Sequence, residues 1–235
     1  MHLDELFRNL GCLAATLGAQ VKDGTLEGVP LEELDLTGPA PGHVALSGRA
    51  QVMLSEGETL ALEVEGGQAG EPVRFTRDEN RLGITGGDRE TIVRITLPAP
   101  RKLSVAGSGR MAAARLATDA KISIAGSGRI EVADVGGGQL AVSIAGSGRL
   151  AIDGHADELK LSIAGSGSCD AEGLSVDKAA VHIAGSGDAI FTCNGEVAAH
   201  LMGSGNLIVR GSARCSVHSV GSGTVTCERE SESAD

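Results

Sequence analysis

A Gly-Ser-Gly triplet recurs seven times in the second half of the chain, starting at Gly107, Gly126, Gly146, Gly165, Gly185, Gly203 and Gly221. Successive steps are 19, 20, 19, 20, 18 and 18 residues. A nearly fixed period marks a solenoid, in which each repeat stacks only on its neighbours. The period is too short for a strand–helix–strand unit, which takes about 30 residues or more. The repeat therefore has to be made of strands and corners.

Aligned on the first Gly of each triplet, the chemistry falls into columns. Four residues before it stand Leu103, Ile122, Val142, Leu161, Val181, Ala199 and Val217. Two before it stand Val105, Ile124, Ile144, Ile163, Ile183, Leu201 and, as the exception, Ser219. Between them lie Ser104, Ser123, Ser143, Ser162, His182, His200 and His218. The alternation resumes after the corner, from Met111 and Ala113 in the first coil to Val225 and Cys227 in the last. A period of two with one apolar face is the pattern of a half-buried strand. Two strands per coil, joined at the triplet and closed by a looser return segment, stack into parallel sheets around a narrow apolar core. The predicted fold is all-β: a parallel β-helix of about seven regular coils.

The triplet has a structural reason. Glycine tolerates positive φ and lets one backbone pass close to another, which suits a corner repeated in every coil. The serines between the glycines can hydrogen-bond along the stack, as small polar residues do at turns. None sits in a G-x-S-x-G elbow, so corner structure is preferred over a nucleophile.

Composition agrees with a thin core. The chain has 35 Gly, three Phe and no Trp or Tyr, so small aliphatic residues fill the interior. Charge is uneven. Residues 1–100 hold 16 acidic and 8 basic side chains, whereas residues 101–227 hold 11 of each. With no basic stripe and no aromatic stacking platform, nucleic acid is disfavoured as a partner.

Residues 1–22 read as an amphipathic helix, with Leu3, Leu6, Phe7, Leu10, Leu13 and Leu17 on one face. It is expected to cover an open end of the solenoid or to join copies into a homo-oligomer. Asp4, Glu5, Arg8 and Asn9 do not fit a secretory signal, and no transmembrane segment is apparent, because no 18-residue apolar run occurs. Residues 23–42 are acidic and rich in Pro and Gly, and read as a linker. Residues 43–227 form the solenoid domain, with irregular first coils at 43–100 and regular coils at 101–227. Residues 228–235 are an acidic tail expected to be disordered.

The segments LSGRAQVMLSEGETLALEVEGG (46–67) and TIVRITLPAPRKLSVAGSGRM (91–111), followed by serial ISIAGSGRI-type units, resemble the GIN-domain family, described as auto-transporter adhesin head domains. The resemblance covers about residues 43–227. It implies a right-handed parallel β-helix in a bacterial envelope or surface protein, and it brings no catalytic residues or cofactor. The location implied is the cell envelope or surface, although this sequence carries no recognisable export signal. The implied partner is a protein or glycan at the cell surface.

Two ladders flank the corner. His182, His200 and His218 occupy one column in consecutive coils, where a parallel stack spaces residues about 4.8 Å apart. Neutral imidazoles so placed suit Zn²⁺, Cu²⁺ or Ni²⁺. The preferred reading is an exposed polar ladder continuing the serine column. Arg110, Arg129 and Arg149 form the second ladder, three residues past the Gly. It suits a sulfated or carboxylated glycan, or is simply a solvated edge that discourages association. Cys169, Cys193, Cys215 and Cys227 are expected to be free buried thiols, because they sit in columns that stacking does not register as pairs. No C-x-x-C, P-loop, H-E-x-x-H or RTX calcium repeat is present.

The function expected is a non-enzymatic envelope scaffold or adhesin. The alternative is a polysaccharide-active β-helix enzyme, a lyase or hydrolase. Glycosidases need paired carboxylates, and Asp153, Asp157, Asp170 and Asp188 share no column.

Overall fold

The computed structural model describes residues 28–66 and 72–228. The helix expected at 1–22, the start of the linker and most of the acidic tail lie outside the described residues. What is described is a parallel β-solenoid of about seven turns.

Each regular coil places one strand before the corner and one after it. The strands before the corner are β7 (Lys102–Gly107), β9 (Lys121–Gly126), β11 (Gln139–Gly146), the later halves of β13 (Gly154–Gly165), β14 (Ser168–Gly185) and β15 (Asp188–Gly203), and β17 (Arg214–Gly221). They pair in parallel with every corner glycine opposite the next, from Gly107↔Gly126 to Gly203↔Gly221. The strands after the corner are β8 (Arg110–Ala113), β10 (Arg129–Val132), β12 (Arg149–Ile152), the first parts of β14 and β15, β16 (Asn206–Arg210) and β18 (Thr224–Cys227). They form a second parallel ladder. In the middle coils the return segment is itself strand, which is why β13, β14 and β15 are long.

The inward columns form one continuous core from Val44 to Ala213. Ile122, Ile124, Val142, Ile144, Leu161 and Ile163 are all at most 1% exposed. Burying each such side chain is worth roughly 1.5–3 kcal/mol, so the alternating pattern sets the register. A slip of one residue would turn every apolar side chain outward.

The two glycines of a triplet serve different ends. Gly146 has φ +108, and a Cβ there would meet the Gly126 carbonyl oxygen at 2.6 Å. Gly148, two residues on, turns inward, where a Cβ would lie 2.4 Å from Ile124 Cγ2 in the coil below. The first glycine serves backbone conformation and close approach, the second leaves room for the core. The serine between them extends the stack through its backbone amide: Ser147 N–H donates to Gly126 O at 2.9 Å.

The irregular coils at the amino-terminal end stack out of sequence order. β1 (His43–Gly48) pairs with both β5 (Arg81–Gly86) and β7, and β2 (Gln51–Glu56) pairs with both β6 (Ile92–Leu97) and β8. The coil carried by β5 and β6 thus lies outside the first one. Antiparallel strands close it: β3 (Ala61–Glu65) on β6 and β4 (Arg74–Asp78) on β5. Ending a parallel stack with antiparallel strands covers edges that would otherwise pair with another chain.

Among the described residues, the carboxyl-terminal coil has no neighbour above it. Val217, whose column is buried in earlier coils, is 41% exposed here. Cys215 and Cys227 are joined by a disulfide, which corrects the expectation of free thiols at these two positions. Columns six residues before and six after the corner do not stack on one another, but they face each other across the core. Val197 and Val209 hold the equivalent inward positions one coil below. Cys169 and Cys193 are free and buried, as expected.

Candidate functional site

The histidine ladder forms as aligned. His182 pairs with His200, and His200 with His218, in adjacent strands. Their rings stack face to face with centroids 5.0 and 5.2 Å apart and interplanar angles of 6° and 12°. The spacing follows the strand repeat. Partial burial, and after it the proximity of His200, holds His182 below the ordinary imidazole pKa. Metal–nitrogen bonds are about 2.0–2.1 Å long, so the two end rings of this straight column are too far apart to share one ion. A metal on the ladder would be held by two neighbouring rings.

The arginine ladder lies on the other side of the corner. Arg129 pairs with Arg110 below and Arg149 above. The column continues through Ser168, Asp188 and Asn206, and there the Asn206 side-chain amide donates to Asp188 Oδ1 at 2.9 Å. Arg129 Nη1 lies 3.5 Å from Glu131 Oε1, an exposed contact, and exposed ion pairs contribute little. Among the described residues the edge therefore carries three adjacent cations with one loosely held counter-charge.

Next to this edge runs a shallow open groove of about 550 Å³. Alanines at outward positions, Ala112, Ala133 and Ala151, make its floor, because their short side chains leave the sheet surface low between longer neighbours. Glu131, Asp153 and Arg94 supply its charged lining. Arg94 Nε is already bound to Glu65 Oε1 at 2.9 Å, and this contact holds the Glu65 carboxyl below the usual carboxylate range. Column alignment did not bring Glu131 and Asp153 together, because the two lie in different columns of neighbouring coils and share only the groove. The low alanine floor was the available signal.

The buried cysteines offer no chemistry of this kind. Burial pushes the Cys169 thiol up to about 12, far from a reactive thiolate. No helix of the described residues is long and apolar enough to cross a membrane.

Residues 41–213 match the family model described as "Putative auto-transporter adhesin, head GIN domain". Among solved structures, a "putative adhesin" of Bacteroides fragilis superposes with a TM-score of 0.70 at 18% identity, over 79% of this chain and 91% of that one. A "putative lipid binding protein" of Parabacteroides distasonis gives 0.60 at 18% identity, over 81% and 94%. A "putative adhesin" of Parabacteroides merdae gives 0.58 at 20% identity, over 81% and 92%. At these identities the likeness establishes the fold alone. No curated protein matches the chain.

Proposed function

The chain belongs to the head GIN domain family, and from that premise we propose that it serves as a non-enzymatic interaction scaffold of the bacterial cell envelope, binding an anionic glycan. The observation that carries the reading is the edge of Arg110, Arg129 and Arg149, paired in adjacent coils. Like charges directly opposite one another on a sheet repel. An anion lying along the edge relieves that repulsion. Guanidinium groups recognise carboxylate and sulfate in bidentate fashion, and strands about 4.8 Å apart repeat that recognition along a chain of sugars. The Cys215–Cys227 disulfide supports an oxidising compartment.

The test has two arms. Native cells carrying a tag at the carboxyl terminus are fractionated, and a purely cytosolic signal overturns the envelope assignment. The purified protein is then passed over an immobilised sulfated polysaccharide beside Arg129→Gln. Equal retention of the two overturns the arginine edge as the contact.

A second reading keeps one specific observation: the groove carries two carboxylates, Glu131 and Asp153, as a polysaccharide hydrolase would require. Release of new reducing ends from envelope polysaccharides, lost in both Glu131→Gln and Asp153→Asn, would favour it over the scaffold.

A further inference from the structure

On the return segment, away from both ladders, three side chains converge. His155 and Asp157 stand two residues apart on β13, both exposed, with buried Ala156 between them pointing into the core. Asp177 comes from β14, where Ala156 pairs with Val176 and Glu158 with Lys178, so Asp177 lies beside Asp157 in the next coil. One ligand atom from each of the three lies within 4.8 Å of the others. His155 Nε2 and Asp157 Oδ1 are already 3.5 Å apart.

We propose that His155, Asp157 and Asp177 form a divalent transition-metal site, with Zn²⁺ as the fitting ion. Zinc bonds of about 2.0–2.2 Å to nitrogen and oxygen put neighbouring ligand atoms of a tetrahedron roughly 3.4 Å apart. The His155–Asp157 pair meets that spacing, and an Asp177 carboxylate oxygen lies within 4.8 Å of both. One imidazole with two carboxylates is a mixed donor set that suits zinc better than calcium, which prefers an all-oxygen shell. Three protein ligands leave the fourth position to water.

The charge balance points the same way. Two carboxylates in adjacent coils repel, and the neighbouring lysines act elsewhere. Lys160 pairs with Glu158 at 3.3 Å, and Lys178 stands opposite Glu158 in the next coil. Among the described residues no Lys or Arg pairs with Asp177. The frame under the site is fixed. Asp157 N–H donates to Gly138 O at 2.9 Å, and the Asp177 carbonyl accepts from Cys193 Sγ at 3.7 Å. The β14–β15 register shifts beside Asp177, between Val176 and Lys178, and such irregularities re-aim a side chain.

The test is zinc uptake by the full chain, followed by calorimetry and by equilibrium dialysis, with thermal unfolding as a check on folding. Wild type is expected to take up one zinc and to unfold at a higher temperature with it. Asp177→Asn and His155→Gln, both exposed changes, are expected to weaken uptake about tenfold or more, whereas His200→Ala leaves it unchanged. No uptake by wild type, or uptake by Asp177→Asn and His155→Gln equal to that of wild type, overturns the site. Loss of uptake in His200→Ala alone moves the metal to the histidine ladder and overturns it equally.

Discussion

Cys215 and Cys227 stand on opposite walls of the last coil and are joined across its interior, with Cα atoms 6.8 Å apart. In the coil below, Val197 and Val209 occupy the same walls and are buried. A bare final coil cannot hold itself by apolar burial, since Val217 is open to solvent and Ser219 takes an inward position. A covalent bridge replaces that packing. Closing a loop of this length stabilises by about 2–3 kcal/mol, spent on the last coil alone. Reduction should therefore speed amide exchange in β17 and β18 while leaving β9 to β13 protected. Exchange monitored with and without a phosphine reductant checks this. Uniform loosening of all coils would contradict it.

The His43 ring lies 3.0 Å from the Ser104 hydroxyl in a buried pair. Burial, with Lys102 and Arg81 nearby, lowers its pKa from 6.5 to about 4. The folded protein thus prefers the neutral ring, and the unfolded chain binds the proton first as pH falls. Stability from this group is complete above pH 6.5 and lost on acidification from there to about pH 4. The loss should be on the order of 3 kcal/mol. Denaturant unfolding of wild type and His43→Gln across that window checks it. The variant's stability should vary less with pH.

The regular coils were legible because one column repeats seven times, so Val105, Ile124 and Ile144 could be aligned without knowing any contact. The same argument found the His and Arg ladders, since a ladder is a column. It failed wherever two columns meet. Cys215 and Cys227 face each other across the core, and Asp153 and Glu131 meet only in the groove. His155, Asp157 and Asp177 meet on a return segment that carries no triplet to align. The amino-terminal order was hidden for another reason: nothing in 43–100 says that β5 stacks outside β1, since both are alternating strands ending in glycine. The pairing is set by the antiparallel strands β3 and β4 closing the end.

Arg129 sits between two other arginines, and its one counter-charge among the described residues, Glu131, is 3.5 Å away and exposed. If the ladder were kept for stability, Arg129→Gln should lower the melting temperature. The like-charge geometry argues the reverse. We expect an equal or higher melting temperature together with weaker retention on a sulfated polysaccharide. Retention of wild type should also fall steeply with salt, because exposed charges are screened within about 8–10 Å at physiological ionic strength. A lower melting temperature with unchanged retention would make the ladder structural.

Two glycines separate the sources of stability at a corner. Gly146 combines φ +108 with a backbone oxygen 2.6 Å from where a Cβ would stand. Gly137 has φ +87 but nothing within 4 Å of that position. Gly137→Ala should therefore carry only the conformational cost of a left-handed residue, roughly 1–2 kcal/mol. Gly146→Ala adds a clash with the coil below that cannot be relieved by a rotamer, because the obstructing atom is the Gly126 carbonyl. Moving it would break the bond it accepts from Ser147 N–H. The corner variant should lose several kcal/mol, about twice the other or more. Its amides in β11 and β9 should exchange faster than those at the carboxyl-terminal coils. Equal losses for the two variants would mean that conformation alone, and not close stacking, selects glycine at the corner.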